Sequence, residues 1–253
     1  MTDAALPKIV TLTAVIDESP SIKTFVFDQL FEFKPGQFCM VWIPGVDEIP
    51  MAFSAANAIT VMKAGDATGA LFGLTAGDKI GIRGPFGNGF SPKGKVLAIA
   101  GGIGVTPLFT LAATGEVDTF ILGSRTKSEL IFADELAKVT DLKIATDDGT
   151  CGYHGFVTGI MDTLDLASYD TICVCGPEMM MKGILDRLVA RGLETRGQFS
   201  MHRYMKCAIG VCGSCCMDPS GYRVCRDGPV FTGDILMSGE LGMHHRGPNG
   251  IRE

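Results

Sequence analysis

Two hydrophobic patterns follow one another along the chain. From residue 8 to about 92, apolar and polar residues alternate in short runs that are separated by turn signals. Such alternation places the apolar side chains on one face of a β-strand. The predicted antiparallel strands are KIVTLTAVI, IKTFVFD, QFCMVWI, ITVMKA and DKIGIRG. Turns or sheet edges are predicted at residues 34–36 and 47–50, so this part of the chain should form a small β-barrel.

After residue 92, apolar strand patterns alternate with segments of helical length. The predicted strands are VLAIA, TFILG, LKIAT and TICVC, and the predicted helices are PLFTLAAT, SELIFADELAKV and EMMMKGILDRLVARG. This alternation predicts an α/β domain with a parallel sheet. Residues 96–115 carry no charged side chain, but Gly101, Gly102 and Gly104 divide them. We therefore predict a strand, a glycine turn and a helix there, not a transmembrane span.

Beyond residue 198 the regular periodicity stops, and glycine, cysteine and turn residues dominate. A segment of this kind should depend on something other than apolar burial, and a bound metal centre would stabilise it. The predicted fold is therefore a β-barrel (residues 1–92), an α/β domain with a parallel sheet (residues 93–198) and a small C-terminal domain (residues 199–253).

Composition narrows the classes of function. The chain has 253 residues, with 22 Lys and Arg against 28 Asp and Glu, which gives a net charge of −6. This balance argues against nucleic acid or an anionic membrane surface as the main partner. The sequence does not begin with a basic segment followed by an apolar one, so no secretory signal is predicted and the cytoplasm is the expected compartment. In that reducing environment, nine cysteines indicate a metal or redox site rather than a disulfide framework.

Five of the nine cysteines lie within residues 206–225, KCAIGVCGSCCMDPSGYRVC. The spacing C-x4-C-x2-C-x9-C is formed by Cys207, Cys212, Cys215 and Cys225. Its first three positions match a plant-type [2Fe–2S] motif, and the small residues between them allow the backbone to wrap around the sulfurs. The alternative is a four-cysteine zinc site, whose usual two C-x2–4-C knuckles are only half present. Cys216 is adjacent to a predicted ligand and is expected not to be a ligand itself.

Three loops follow predicted strands of the α/β domain. Residues 101–107, GGIGVTP, open a helix whose backbone N–H groups could bind a dinucleotide phosphate, although a plain β-turn-α connection fits equally well. Residues 146–155, TDDGTCGYHG, and residues 175–180, CGPEMM, follow two more strands. Open α/β sheets bind ligands at these strand ends. The methionines at 179–181 could instead be ordinary core residues of a helix.

The order barrel, GGIGVTP, TDDGTCGYHG and VCGPEMM resembles the ferredoxin–NADP reductase superfamily. The segment SMHRYMKCAIGVCGSCCMDPSGYRVCRDGPVF resembles the electron-transfer subunits of NAD-dependent dihydroorotate dehydrogenase class B, and this resemblance runs over almost the whole chain. It implies FAD on the barrel, a nicotinamide nucleotide as substrate on the α/β domain, and a [2Fe–2S] cluster near the C-terminus. It also implies an FMN-containing catalytic subunit as partner, in a heterotetramer with two copies of each chain, and a role in pyrimidine biosynthesis.

The resemblance and the loops together assign the cofactor contacts. These are Ile49, Pro50, Met51, Ala52, Met62, Lys63, Ala67, Thr68, Gly101, Gly102, Gly104, Thr106, Pro107, Asp148, Gly149, Cys175, Gly176 and Pro177. The family's R-P-x-S stretch is matched by residues 49–52, IPMA, whose missing arginine and serine predict FAD that dissociates more readily than in relatives. A short helix over residues 68–74 would direct its N-terminus at the FAD pyrophosphate.

The segment just before the cluster motif also departs from the family. The family's S-x-E is replaced by Ser200-Met201-His202, so His202 cannot act as the fixed carboxylate. No catalytic residue and no role for a histidine is predicted, because electron transfer through a flavin and a cluster needs no acid–base triad.

Two competing functions remain open at this level. A flavin and iron–sulfur subunit of a hydrogenase or of a transhydrogenase-like complex would share these motifs. A zinc-stabilised nucleotide-binding regulator, without redox chemistry, is the alternative of a different class. If the dihydroorotate interpretation holds, the partner should dock around residues 211–214 and 230–231, beside the cluster.

Overall fold

The computed structural model describes residues 6–244 together with Gly247 and Ile251. Residues 1–5 of the predicted barrel domain and residues 245–246, 248–250 and 252–253 of the predicted cluster domain lie outside the described residues.

The first part of the chain forms a closed antiparallel barrel, as predicted. Its strands are β1 (Lys8–Ser19), β2 (Ile22–Phe27), β3 (Phe38–Ile43), β4 (Asp47–Ala55), β5 (Ala58–Met62) and β6 (Lys79–Phe86), in the spatial order β1-β2-β5-β4-β3-β6. The alternating apolar residues fill the interior, with Phe25, Phe53 and Ile80 fully buried. Helix α1 (Asp66–Phe72) follows β5 and buries Leu71 against this interior, two residues earlier than the helix predicted at 68–74.

Strand β4 is the element that the sequence pattern missed. Residues 47–50 suggested a turn or an edge, whereas the structure has a nine-residue strand there. β4 pairs with β3 from Asp47 to Ala52 but with β5 only from Phe53 onward. Pro50 therefore lies where one side of the strand is unpaired, and its missing N–H breaks no ladder hydrogen bond.

The rest of the chain builds one seven-stranded sheet. Its strands are β7 (Val96–Gly101), β8 (Thr119–Ser124), β9 (Asp141–Thr146), β10 (Tyr153–His154), β11 (Thr171–Cys175), β12 (Gly197–Ser200) and β13 (Val230–Thr232), in the order β10-β9-β8-β7-β11-β12-β13. The sheet is parallel except for β13, which runs antiparallel to β12. The helices that follow its strands are α2 (Val105–Ala112), α3 (Ala133–Val139), α4 (Val157–Met161) and α5 (Glu178–Val189).

Two helices differ from the prediction. The segment SELIFADELAKV was expected to be helical throughout, but α3 begins only at Ala133. Phe132, just before it, has a left-handed backbone with φ of 60°, which ends the preceding irregular segment and sets the direction of the helix. Helix α4 has only five residues and was not predicted, because so short a segment carries too little periodicity to detect.

Residues 96–115 form β7, a 3₁₀ turn at Gly102–Gly104 and α2, as the glycine positions predicted. The longest helix of the described chain, α5, has 12 residues. Within the described residues, no helix combines the length and the apolar character that crossing a bilayer requires.

The C-terminal segment is better buried than its composition suggested. It contributes β12 and β13 to the sheet, together with α6 (Val224–Asp227) and α7 (Gly233–Leu236). Met201, Met217 and Leu236 belong to the same buried cluster as Ile184 of α5 and Phe38 of the barrel. The expectation that this segment lacks apolar burial was therefore wrong. The boundary at residue 198 stays a prediction, and the sheet continues across it.

Candidate redox site

A cleft lies where the barrel meets the sheet. It is lined by Gly36, Phe38, Pro50, Met51, Ala52, Pro107, Ser200, Met201, His202, Arg203, Met205 and Pro229. Strand β4 supplies one wall, the start of α2 a second, and the chain that leaves β12 a third. The predicted contacts Pro50, Met51, Ala52 and Pro107 come together here. Residues 200–205 were not predicted as cofactor contacts, because only the fold brings them to the barrel.

Ile49 is placed differently from Pro50 and Ala52. It packs against the apolar interior of the barrel, together with Met51 and the aromatic residues around Phe53. In a strand, successive side chains point to opposite faces, so Pro50 and Ala52 face the other side. The position that corresponds to the family's arginine therefore belongs to the barrel core in this chain.

Two buried hydroxyl groups beside the cleft have no hydrogen-bond partner among the described residues: Ser54 Oγ and Thr106 Oγ1. Ser54 lies two positions after Ala52 on β4, and Thr106 directly precedes Pro107 at the start of α2. Buried polar groups are normally satisfied, and leaving one unpaired costs free energy. These hydroxyls therefore fit a polar bound group such as the edge of a flavin. The Ser54 hydroxyl lies two positions after Ala52, at which the resemblance predicts a serine.

The other predicted flavin contacts lie at the corner between β5 and α1. Met62 is exposed at the end of β5, and Lys63 Nζ lies 5.9 Å from the centre of the Phe72 ring. Thr68 Oγ1 accepts hydrogen bonds from the backbone N–H groups of Ala64 and Gly65, at 2.8 and 2.9 Å. The Thr68 hydroxyl thus shapes the loop before α1. Strand β5 also contacts the glycine turn Gly102–Gly104, which brings this corner close to the nucleotide loops.

The glycines of GGIGVTP and CGP allow two loops to pack backbone against backbone. A Cβ atom on Gly104 would lie 2.5 Å from the carbonyl oxygen of Cys175, and one on Gly176 would lie 2.9 Å from the nitrogen of Gly101. Gly102 has a left-handed φ of 52°, a conformation that glycine adopts without strain. The position of a Cβ atom on Gly102 has no other atom within 4 Å. The open space fits a phosphate or nicotinamide group approaching the backbone.

The predicted nucleotide contacts spread along one edge of the sheet. Gly101 and Cys175 end the adjacent strands β7 and β11, whereas Asp148 and Gly149 follow β9, on the far side of β8. The Thr150 hydroxyl and backbone N–H hold the pKa of the exposed Asp148 carboxyl below its usual value. Three methionines, at residues 179–181, follow the CGP loop. Of these, only Met181 is a core residue, and Met179 is exposed.

Cys175 and His202 form a pair at the inner wall of the cleft. His202 Nε2 lies 3.5 Å from Cys175 Sγ, and its side chain is exposed on the cleft side. Burial raises the pKa of the Cys175 thiol to about 12, against a weaker opposing hydrogen bond with Ser200. The pKa of His202 is lowered, because the surrounding protein disfavours its charged form and Arg203 lies beside it, despite the opposing charge of Glu178. Both pKa shifts favour the neutral forms of these two groups.

Arg203 holds together three segments behind this pair. Its guanidinium lies 2.7 Å from a Glu240 carboxylate oxygen and 3.1 Å from a Glu178 oxygen. Glu178 opens α5, directly after the CGP loop, and its carboxylate also accepts the N–H of Gly242. The Arg203 side chain is only 2 % exposed, so its charge is held in one geometry by two carboxylates. This network fixes the cleft wall to the nucleotide loop and to the C-terminal segment.

The loop that carries the predicted cluster ligands turns through left-handed positions at Ala208, Gly210 and Gly213. The turns bring backbone N–H groups onto the sulfurs. Cys207 Sγ accepts hydrogen bonds from Val211 and Cys212, at 3.4 and 3.5 Å. Cys215 Sγ accepts one from the N–H of Cys225, at 3.4 Å. The predicted wrapping of the backbone around the thiols is present.

These contacts change the acidity of the thiols. Burial raises the pKa of Cys207, but the backbone N–H groups of Cys212, Ile209 and Val211 outweigh it and lower the value to about 6. The side-chain hydrogen bond with Cys225 lowers the pKa of Cys215 to about 7 and raises that of Cys225. Metal ligation requires thiolates, so this loop favours the form of cysteine that binds iron.

The four sulfurs are arranged as two pairs. Cys207 is linked to Cys212, and Cys215 to Cys225, by the hydrogen bonds above. A [2Fe–2S] cluster uses two ligands for each iron. The pairing of the four thiols therefore fits the two ligands for each iron that a [2Fe–2S] cluster needs.

The fold and this site define the class of the protein: a ferredoxin-reductase-like flavin oxidoreductase with a C-terminal iron–sulfur segment. Among solved structures, the chain is similar to one of NADH-dependent reduced ferredoxin–NADP oxidoreductase, with 28% identity, a TM-score of 0.80, and coverage of 90% of this chain and 89% of that one. The ferredoxin reductase in carbazole 1,9a-dioxygenase shares the fold, with 22% identity, a TM-score of 0.66, and coverage of 76% and 68%.

Sequence comparison gives the particular family. Residues 202–237 match the model for the iron–sulfur cluster binding domain of dihydroorotate dehydrogenase B. The chain is 50% identical to a probable dihydroorotate dehydrogenase B (NAD(+)) electron transfer subunit of Methanocella arvoryzae, over 98% of each chain. It is 48% identical to the protein so described in Methanocaldococcus jannaschii, over 96% of this chain and 97% of the relative. The chain belongs to the family of dihydroorotate dehydrogenase B electron transfer subunits.

Proposed function

We propose that this chain passes electrons between NADH and the catalytic subunit of a dihydroorotate dehydrogenase, through FAD and a [2Fe–2S] cluster, in pyrimidine biosynthesis. The observation that carries the proposal is the continuity of the two cofactor sites. Met205 lines the cleft, and Cys207, the first cluster ligand, follows two residues later. Two residues of extended chain span about 7 Å at most, so a cluster held there lies beside a flavin in the cleft.

When bound, the flavin would accept electrons in pairs and release them singly to the cluster. The chain's own residues position and shield these groups. Pro50, Ala52 and Pro107 give the cleft apolar walls that exclude water, while Ser54 and Thr106 offer hydroxyls to a polar edge. His202 lines the cleft, with the buried Cys175 thiol directly behind it. The glycine loops admit the nucleotide at the edge of the sheet where β7 and β11 end.

The proposed partner is a catalytic subunit that contains FMN, in an assembly with two copies of each chain. Support for the docking surface comes from the cluster loop, where Ile209 and Val211 are 55% and 79% exposed and Cys212 is exposed. Residues 211–214 stay in the proposed surface. Val230 and Phe231 do not, because both are buried in the sheet and the core, and that part of the docking prediction was wrong.

The function is tested by mixing the chain with the catalytic subunit encoded in the same genome. We expect the chain alone to reduce an artificial dye with NADH, but to leave dihydroorotate and orotate unchanged until that subunit is added. The βα units of the described residues form an open sheet and not the closed βα barrel that would hold a dihydropyrimidine. Oxidation of dihydroorotate by the chain alone would contradict the subunit assignment.

A second candidate rests on the similarity to the NADH-dependent reduced ferredoxin–NADP oxidoreductase, which extends over nine-tenths of both chains. A subunit of a transhydrogenase-like complex would use the same cleft and cluster loop. The same mixing experiment separates the two, since in that case the chain would exchange electrons with ferredoxin and NADP and would not support dihydroorotate oxidation.

The unpaired hydroxyls beside the cleft give a further prediction. Ser54→Ala and Thr106→Val remove groups that have no partner in the described chain, so the unfolding temperature of the FAD-free protein should not fall. FAD affinity should fall by about three- to tenfold for each, the value of one lost neutral hydrogen bond. FAD fluorescence titration measures the affinity, and a thermal melt measures the stability.

The matched control is Thr110→Val on α2. The Thr110 hydroxyl donates to the carbonyl oxygen of Pro107 at 2.8 Å, so this change should lower stability and leave FAD affinity nearly unchanged. The hydroxyl assignment fails if Ser54→Ala and Thr106→Val bind FAD as tightly as the unaltered chain.

A further inference from the structure

Arg83, on β6, connects the flavin side of the molecule with the cluster side. Its Nε and Nη2 atoms donate to the two carboxylate oxygens of Glu48, at 2.8 and 2.7 Å. Its Nη1 atom donates to the backbone carbonyl oxygen of Cys207, at 3.1 Å. Glu48 lies on β4, two residues before Pro50 of the cleft wall. One side chain therefore links the strand that lines the flavin cleft to the first cysteine of the cluster motif.

The geometry of this link is fixed on every side. The two parallel hydrogen bonds to Glu48 orient the planar guanidinium, and its other face lies over the Phe86 ring, 5.1 Å from the ring centre. The side chains of Arg83 and Glu48 are only 11% and 26% exposed. Because solvent screens partly buried charges weakly, both charges act on their surroundings with little attenuation.

Arg83 lies closer to the cluster loop than Glu48 does. The positive group touches the loop directly through the Cys207 carbonyl, whereas among the described residues the negative group is linked to the loop through Arg83. The reduction potential of an iron–sulfur cluster depends on the net charge and the hydrogen bonds around it. Reduction adds one electron and one negative charge, so a nearby cation favours the reduced form and a nearby anion opposes it.

We propose that Arg83 and Glu48 act as a positioning pair that sets the reduction potential of the cluster while holding its loop against the flavin strand. The inference rests on the proposed function, because it concerns the cluster through which electrons leave the flavin. Neither residue was singled out by the sequence motifs. Arg83 is 124 positions from Cys207, so only the fold brings them together.

The test is a redox titration of the full chain, with FAD and cluster bound, followed by electron paramagnetic resonance of the reduced cluster. Arg83→Gln leaves the Glu48 charge unpaired, so the one-electron equilibrium should move at least tenfold toward the oxidised cluster, a fall of about 59 mV. Glu48→Gln leaves the Arg83 charge unpaired and should move the potential upward, by a smaller amount because Glu48 is farther from the loop than Arg83. Combining both changes should lower the potential by less than Arg83→Gln alone.

The opposite signs separate this role from a merely structural one. A loop that is only loosened would shift the potential of both single variants in the same direction and lower the iron content of both. Arg83→Lys, which keeps the charge, should restore most of the potential. Arg187→Gln, which breaks the ion pair between Arg187 and Asp162 at α5, is the control and should leave the potential unchanged.

Shifts in the same direction, or no shift at full iron content, would overturn the proposal. If Arg83→Gln cannot hold its cluster, Glu48→Gln decides alone, since a rise supports the proposal and a fall or no change rejects it. Failure of the proposed function would look different. The potentials would respond as described, but the unaltered chain would never reduce or oxidise the dihydroorotate dehydrogenase catalytic subunit.

Discussion

Cys225→Ser is expected to remove the cluster and to lower electron delivery to the catalytic subunit by at least about 100-fold. Cys225 is 1% exposed, and its side chain is hydrogen-bonded to Cys215, so no solvent ligand can readily replace it. NADH oxidation with a dye that accepts electrons from the flavin should continue, because the cleft and the nucleotide loops do not include Cys225. Iron and acid-labile sulfide analysis, together with the visible spectrum, measures the loss.

Cys216→Ser is the matched control for this change. Cys216 neighbours Cys215 in sequence, and its backbone forms an isolated bridge with Arg223, but it is not one of the two hydrogen-bonded thiol pairs described above. Its replacement should leave iron and sulfide nearly unchanged. A full complement of iron in Cys225→Ser, or its loss in Cys216→Ser, would show that the ligand assignment is wrong. Zinc in place of iron would favour the regulator with no redox chemistry.

Gly104→Ala should weaken NADH binding by about five- to 150-fold, because overpacking of a close contact typically costs about 1–3 kcal/mol. Gly104 has φ of −62°, which alanine adopts easily, so the effect is purely steric. The new Cβ would lie 2.5 Å from the Cys175 carbonyl oxygen and 2.6 Å from the Gly176 nitrogen. These are backbone atoms, and the GGIGVTP and CGP loops must separate to admit it. The unfolding temperature should also fall, by about 2–4 °C for each kcal/mol.

Gly183→Ala tests whether any added methyl group has this effect. Gly183 lies inside α5, and the nearest atom to a new Cβ is Arg187 Nη1 at 3.7 Å, an ordinary contact. Alanine should raise stability there by up to about 1 kcal/mol, with NADH affinity unchanged. Isothermal titration with NADH and a thermal melt compare the two variants. Unaltered NADH affinity in Gly104→Ala would contradict the assignment of these loops to the nucleotide.

The parts of the fold that were predicted correctly depend on local sequence. Alternation within single runs predicted five of the six barrel strands, and the glycines at 101–104 predicted the turn between β7 and α2. The hydrophobic pattern did not predict elements whose conformation depends on contacts outside the run itself. Pro50 is compatible with β4 only because β5 does not pair with it at that point, and the start of α3 depends on the conformation of Phe132.

The candidate site also has one part that local sequence determines and one part that depends on long-range contacts. The spacing of the cysteines is a local property, and the loop that carries them folds as the spacing predicted. The cleft is not local, because β4 and the chain after β12 are separated by about 150 residues of sequence. The neighbours of Ser54, His202 and Arg83 likewise depend on the packing of segments that are far apart in the sequence. A weak signal for His202 did exist in the replacement of the expected glutamate, but the sequence could not show that its neighbour would be the Cys175 thiol.

The antiparallel pairing of β13 with β12 has a consequence for truncation of the chain. β13 covers the edge of the sheet next to β12, and an uncovered edge strand invites association with other chains. A chain cut after β12 would expose both this edge and the apolar side chains that Met217 and Leu236 cover. The reductase part of this chain, produced without the iron–sulfur segment, should therefore self-associate.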